Sequence, residues 1–327
     1  MKGLNETYVK YFPVGAAVSL AAIEDSSDLL TGHFGSVTAE NNMKPMFIQP
    51  SEGVFQFDTG DRIADFARKN KLLLRGHTFV WHKQTPEWFF ENKGEPAGRE
   101  KVLERLEKHI QTTMDQYKDI AYAWDVVNEA IADKPEAAPL RESKWLETVG
   151  PDYIERAFSF AAATDKDKVL FYNDYNETDP VKSKRIYDLV SDLKKNGAKV
   201  DGIGMQGHYN IYGPSADDIC AAIELYASLG VQIQFTELDV SMFPAGDSTQ
   251  IDAPTPEMEE KFIEKYSELF SIFRKYSKYI TGVTLWGASD DHTWLSKFPV
   301  KGRKNWPLLF DSKHKAKKAF FRVVEEA

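Results

Sequence analysis

The sequence predicts an α/β chain folded as one (β/α)8 TIM barrel, a single domain over residues 1–327. Three observations carry that prediction. Short buried-strand signals alternate with amphipathic helical stretches along the whole chain, the pattern of a parallel sheet crossed by helices. The alternation gives eight units of about forty residues each, the size of a closed barrel. No Pro-, Gly- or Ser-rich linker divides the chain, and the first strand-to-helix turn lacks the G-x-G-x-x-G of an open, doubly wound sheet.

The elements follow in order. Strands are expected at 14–17 and 36–39, then a helix over 58–69 with Ile63, Phe66 and Ala67 at helical spacing. Strand three, 72–74, precedes a long helix over 99–117. Strand four, 123–127, is followed by a helix through Tyr153, Ala157 and Phe160. Strand five, 169–172, leads to a helix over 181–195 that Asn196-Gly197 stops, a C-cap signal. Strand six, 203–205, precedes a helix over 216–229 ended by Gly230. Strand seven, 233–236, precedes a helix over 258–276, and strand eight, 280–285, a last helix over 315–324. The basic run Lys313-His314-Lys315-Ala316-Lys317-Lys318 is expected to be a solvated face of that final docking helix.

Composition narrows the function. A net charge of −9 argues against nucleic acid or an anionic membrane as partner. The one cysteine, Cys220, rules out an intrachain disulfide and reads as a small core residue in an apolar helical pattern. No apolar run reaches the roughly eighteen residues of a membrane span. The stretch 13–23 imitates a signal-peptide core, but Glu6 precedes it and Glu24-Asp25 follows without a clean cleavage pattern. It is read as a first buried strand in a cytoplasmic protein, with the oligomeric state open between monomer and homodimer.

The C-terminal strand ends of a barrel form one rim, and catalysis sits there. After strand two come Glu40, Asn41, Asn42 and Lys44; strand three leads to His77, Trp81, His82 and Gln84. Strand four brings Asn128 and Glu129, and strand five Asn173, Asp174 and Tyr175. Strand six brings Gln206, His208 and Tyr209, strand seven Glu237 and Asp239, and strand eight Trp286, with Trp294 just beyond. The strand bodies are apolar, yet nearly every end turns abruptly polar or aromatic.

Carboxylates, amides and indoles in one ring are what carbohydrate chemistry needs. Sugar hydroxyls require partners that donate and accept, and a pyranose face requires an indole to lie on. Glu129 and Glu237, 108 positions apart, read as the paired acids of a sugar-cleaving site, one protonated and one ionised. Asn173, Tyr175 and Gln206 read as further contacts to substrate hydroxyls. No metal or cofactor is implied: there is no G-x-S-x-G, P-loop, C-x-x-C or H-E-x-x-H. A metal-dependent hydrolase using His77, His82 and His208 is one competing reading, but their spacing matches no ligand pattern. A catalytically silent sugar-binding barrel is another, and the intact glutamate pair argues against it.

Five segments carry a resemblance: Thr38-Ala39-Glu40-Asn41-Asn42-Met43-Lys44-Pro45, Arg75-Gly76-His77-Thr78-Phe79-Val80-Trp81-His82, Trp124-Asp125-Val126-Val127-Asn128-Glu129-Ala130, Gly202-Ile203-Gly204-Met205-Gln206-Gly207-His208 and Thr236-Glu237-Leu238-Asp239. Together they resemble glycoside hydrolase family 10, the endo-β-1,4-xylanases, over essentially the whole chain. The resemblance implies the same barrel, with Glu129 as general acid/base and Glu237 as nucleophile of a retaining double displacement. It makes His208 and Asp239 the nucleophile's support and Asn128 the donor to the sugar 2-hydroxyl. Glu40, Asn41, Lys44, His82 and Gln84 would hold the glycone sugars, between walls formed by Trp286 and Trp294.

The absence of a clear export signal resembles the intracellular members, which act on xylo-oligosaccharides. Two departures stand out: His292 where many members carry Arg, and Tyr209 where Leu is common after the histidine. They bear on subsites and pH optimum rather than on the reaction. The loop 242–256 is expected to shape the leaving-group side.

Overall fold

Val14–Val18 (β1) is buried at every residue, as a strand covered on both faces must be. The computed structural model describes residues 2–327. Seven more parallel strands follow: Ser36–Ala39 (β2), Leu73–Trp81 (β3), Ala121–Asn128 (β4), Val169–Asp174 (β5), Gly202–Met205 (β6), Gln232–Ser241 (β7) and Ile280–Leu285 (β8). They pair in chain order, and β8 joins β7 on one side and β1 on the other, with Val14 opposite Val283. The sheet closes, so the expected eight-stranded barrel is formed and no barrel strand is left with a free edge.

Helices wrap the outside, and their ends are written locally. Asp179 accepts hydrogen bonds from the Val181 and Lys182 amides ahead of Pro180, and Thr255 caps Pro256–Lys275 in the same way. Gly197, at φ +88°, ends Pro180–Lys195 where the sequence says it should. Gly76 has a packing reason: a Cβ there would lie 2.0 Å from the ring of Trp124, which is fully buried and stacked on Phe79. No helix among the described residues is long and apolar enough to cross a membrane.

Four sequence expectations are corrected. β3 and β7 run on to Trp81 and Ser241, well past 74 and 236, so His77, Trp81, Glu237 and Asp239 lie within strands rather than beyond them. Register shifts where these strands pair, between His77 and Val80 and between Phe235 and Leu238, turn their side chains at the rim. The stretch after β1 is not strand: Ser19 caps a helix over Leu20–Asp25. The basic run is not one solvated face either. The last helix is Lys318–Glu325, and Lys317 Nζ turns inward to Asp290 Oδ2 and the Trp306 carbonyl, at 2.9 Å each.

The barrel interior is partly polar. Arg75 on β3 meets Asp125 on β4 through both guanidinium nitrogens, and its Nε donates to Gln234 on β7 at 2.9 Å. Both charges are fully buried, which is tolerable only because each is paired and bonded. Asp125 also accepts from His77 Nδ1 at 2.8 Å, which ties this interior pair to the rim.

Candidate active site

Glu129 follows the last residue of β4 and adopts φ +58°, a conformation a non-glycine residue holds only when its surroundings impose it. Those surroundings are explicit. Its amide donates to the Asn173 carbonyl at 2.9 Å, and its carbonyl accepts from Arg141 Nε at 2.9 Å. The next two amides, of Ala130 and Ile131, both donate to the Tyr172 hydroxyl at 3.1 Å, and that hydroxyl donates to Asp174. The carboxyl so presented is met by neutral donors. Trp81 Nε1 donates to Oε2 at 2.8 Å, and Gln206 Nε2 to Oε1 at 3.0 Å.

Glu237 on β7 sits in a different field. Asn173 Nδ2 donates to Oε1 at 2.8 Å, and His208 Nε2 to Oε2 at 3.2 Å. His208 Nδ1 lies 3.1 Å from Asp239 Oδ2, which also accepts from Trp294 Nε1 at 2.7 Å. Burial pushes the Glu237 carboxyl up, but the His208 hydrogen bond and the fields of His77, His208 and Lys44 outweigh it and hold it below the ordinary glutamate range. Burial opposes a charge on His208 too, yet Asp239 and Glu237 raise its pKa well above the usual value.

Two amides join these carboxyls. Asn173 Nδ2 donates to Asn128 Oδ1 at 2.9 Å as well as to Glu237, and Asn128 Nδ2 lies 3.3 Å from Glu129 Oε1. Thr236 Oγ1 donates to Asn173 Oδ1 at 2.6 Å, which fixes the amide's orientation. The two glutamates therefore face one cleft of about 410 Å³, held by a single bonded chain.

The cleft wall contains most of the expected contact residues. Glu40, Asn41, Lys44 and Gln84 line one side, and Tyr175 and Gln206 another. Lys44 donates to Asn41 Oδ1 at 3.1 Å and lies 4.7 Å over the Trp81 ring; burial lowers its pKa against the pull of Glu237 and Glu40. Trp286 and Trp294 line the wall beside His208. His82 Nδ1 lies 3.8 Å from Glu129 Oε2, and burial drives its pKa down to about 4 despite that neighbour.

Other expectations shift. Asn173 is fully buried beneath the carboxyls and does not line the cleft, so it supports Glu237 rather than the wall. Trp81 faces Glu129 with its indole N–H. Trp124 and Trp145 are core residues. Tyr209 points away from the cleft to Glu177, and His292 lies near Asp291 and Asp25, outside the wall. The loop 242–256 is tied to the segment after β8, through Arg303 to the Asp247 carbonyl and Asn305 to the Met242 amide. Among the described residues no three His, Cys, Asp or Glu side chains converge as metal ligands.

Some participants were not anticipated. Arg141 and Lys182 hold the Glu129 turn from outside: Lys182 bridges Asp133 and Asp174 at 2.7 and 2.9 Å, and Arg141 reaches Tyr175 and Asp133. Lys83 and Phe298 add to the wall, Phe298 stacked on Trp294 at 5.5 Å. Phe298 four residues beyond Trp294 was the one available signal; nothing near Arg141 announces its target.

A parallel barrel carrying two carboxyls, amides and indoles on its C-terminal rim defines a carbohydrate-active hydrolase. The comparisons with known proteins give the family. Residues 3–326 match the model of Glycosyl hydrolase family 10, and the chain belongs to that family. It is 49% identical over 323 residues to endo-1,4-beta-xylanase B of Paenibacillus barcinonensis, covering 98% of this chain and 97% of that one. It is 48% identical to an endo-1,4-beta-xylanase of Geobacillus stearothermophilus at the same coverages. The crystal structure of a Paenibacillus barcinonensis xylanase complexed with a conduramine derivative superposes with a TM-score of 0.97 at 48% identity, covering 99% of this chain and 98% of that one.

Proposed function

We propose that the chain is a retaining endo-β-1,4-xylanase acting on xylan-derived xylo-oligosaccharides, with Glu237 as nucleophile and Glu129 as general acid/base. The observation that carries the assignment is the contrast between the two carboxyls. Glu237 lies against His208, which favours its ionised form, whereas the groups that donate to the Glu129 carboxyl are a neutral indole and a neutral amide, with His82, which burial keeps neutral, 3.8 Å away.

In the first step Glu237 attacks the anomeric carbon while Glu129 protonates the departing glycosidic oxygen, leaving a glycosyl ester on Glu237. That ester has lost the negative charge beside Glu129. Glu129 then takes a proton from water, which attacks the same carbon and frees Glu237. Asn128, held by Asn173 and Gln206, is aimed to donate to the sugar 2-hydroxyl, a bond that tightens in the transition state. The aromatic wall and the Lys44–Asn41 pair supply stacking and hydroxyl contacts, and the chemistry needs no metal.

Proton NMR during xylo-oligosaccharide hydrolysis tests the reading. The β-anomer is expected first; initial α-product would mean inversion and overturn it. Retention also requires the two carboxyl groups to stand roughly 5–5.5 Å apart. Glu129→Ala is expected to keep glycosylation by an aryl β-xyloside with a good leaving group and to be rescued by azide as a glycosyl azide. Glu237→Gln is expected to lose turnover while remaining folded.

A further inference from the structure

His208 owes its place to the residues on either side of it. It begins the short segment His208–Asn210, which pairs in parallel with Asp239–Ser241 at the end of β7. Gly207 before it takes φ +75° and donates its amide to Glu177 Oε1 at 3.2 Å. Tyr209 after it donates its hydroxyl to that same oxygen at 2.7 Å. One carboxyl oxygen thus clasps both neighbours of His208.

Glu177 is itself anchored. Tyr226, on the helix Ala216–Ala227, donates its hydroxyl to the Glu177 carbonyl at 2.8 Å. Glu177 and Tyr209 are both buried, and neither lines the cleft. The second carboxyl oxygen, Oε2, has no hydrogen-bond partner among the described residues.

We infer that Glu177 and Tyr209 are positioning residues for the nucleophile: their shared hydrogen bond fixes the chain around His208 and so holds Nε2 against Glu237. The inference rests on the reading of Glu237 as nucleophile. The 3.2 Å contact from His208 is already long, and a drift of about half an ångström would take it out of hydrogen-bond range. The other groups facing Glu237, among them Asn173 on β5, His77 on β3 and Lys44 after β2, are carried by other elements and would stay. Asp239 and Trp294 would still flank His208, and Lys182 would still face Glu177.

Tyr209→Phe, Glu177→Leu and Glu177→Gln, assayed on xylo-oligosaccharides across pH, test this. Tyr209→Phe and Glu177→Leu are expected to lower kcat by about tenfold with KM within about twofold, because only the reacting geometry is loosened. The acidic limb of kcat/KM is expected to move up by about half a pH unit, since Glu237 loses part of the bond that keeps it ionised. Glu177→Gln, whose amide oxygen still accepts both bonds, is expected to recover most of the rate lost in Glu177→Leu. A lowered Tm with unchanged kcat and acidic limb in Tyr209→Phe would make the clasp a packing feature and overturn the inference. Glu237→Gln is the control: if it stays active, the nucleophile reading fails; if it is inactive while Tyr209→Phe behaves as wild type, only the clasp fails.

Discussion

Trp81 and Glu129, on the neighbouring strand ends of β3 and β4, are joined by a 2.8 Å hydrogen bond from the indole Nε1–H to Oε2. The same indole carries the Lys44 ammonium over its ring, and the Trp81 backbone carbonyl accepts from Trp145 Nε1 at 3.1 Å. Trp81 therefore places an acid, a cation and a cleft wall relative to one another. Trp81→Phe keeps the ring but removes the donor. A loss in kcat of about ten- to a hundredfold, about 1.4–2.7 kcal/mol, is expected, with circular dichroism unchanged.

His208 and Glu237 give stability opposite pH dependences. The raised His208 pKa contributes stability that is complete below about pH 6.5 and is lost as pH climbs through the folded-state value. The lowered Glu237 pKa contributes stability present above about pH 4.3 and lost as pH falls through its folded-state value. The Tm difference between wild type and His208→Gln should be widest between about pH 4.3 and 6.5 and shrink as pH rises into alkali. A difference that stays constant from mildly acidic to alkaline pH would contradict the ion-paired histidine.

Arg75→Met leaves Asp125 buried with His77 as its remaining partner. Removing one member of such a pair strands the other charge, and a loss of about 3–5 kcal/mol in denaturant unfolding is expected.

Gly76→Ala forces a methyl into the ring of Trp124, which is fully buried. A destabilisation of about 1–3 kcal/mol is expected from overpacking, measured by urea midpoint, with the larger end favoured by the 2.0 Å approach.

Dialysis against a chelator should leave xylo-oligosaccharide turnover unchanged. His77 and His208 are engaged by Asp125, Glu237 and Asp239, and residual loss restored by a divalent cation would revive a metal-dependent reading.

The alternation of apolar strand and amphipathic helix determined the eight-unit barrel by itself, because each burial pattern is a local property of a few consecutive residues. The abrupt polar strand ends likewise located the rim, and with it both glutamates, before any contact was known. Strand length escaped: the apolar signal of β3 and β7 stops where the rim begins, while the hydrogen-bonded ladder continues to Trp81 and Ser241. Only the closed barrel decided that Asn173 would pass beneath the wall to Glu237, that Arg141 would reach the Glu129 turn, and that Lys317 would turn inward to Asp290. Those are meetings between side chains distant in sequence, and residue type states what a group can bond to, not which partner the fold delivers.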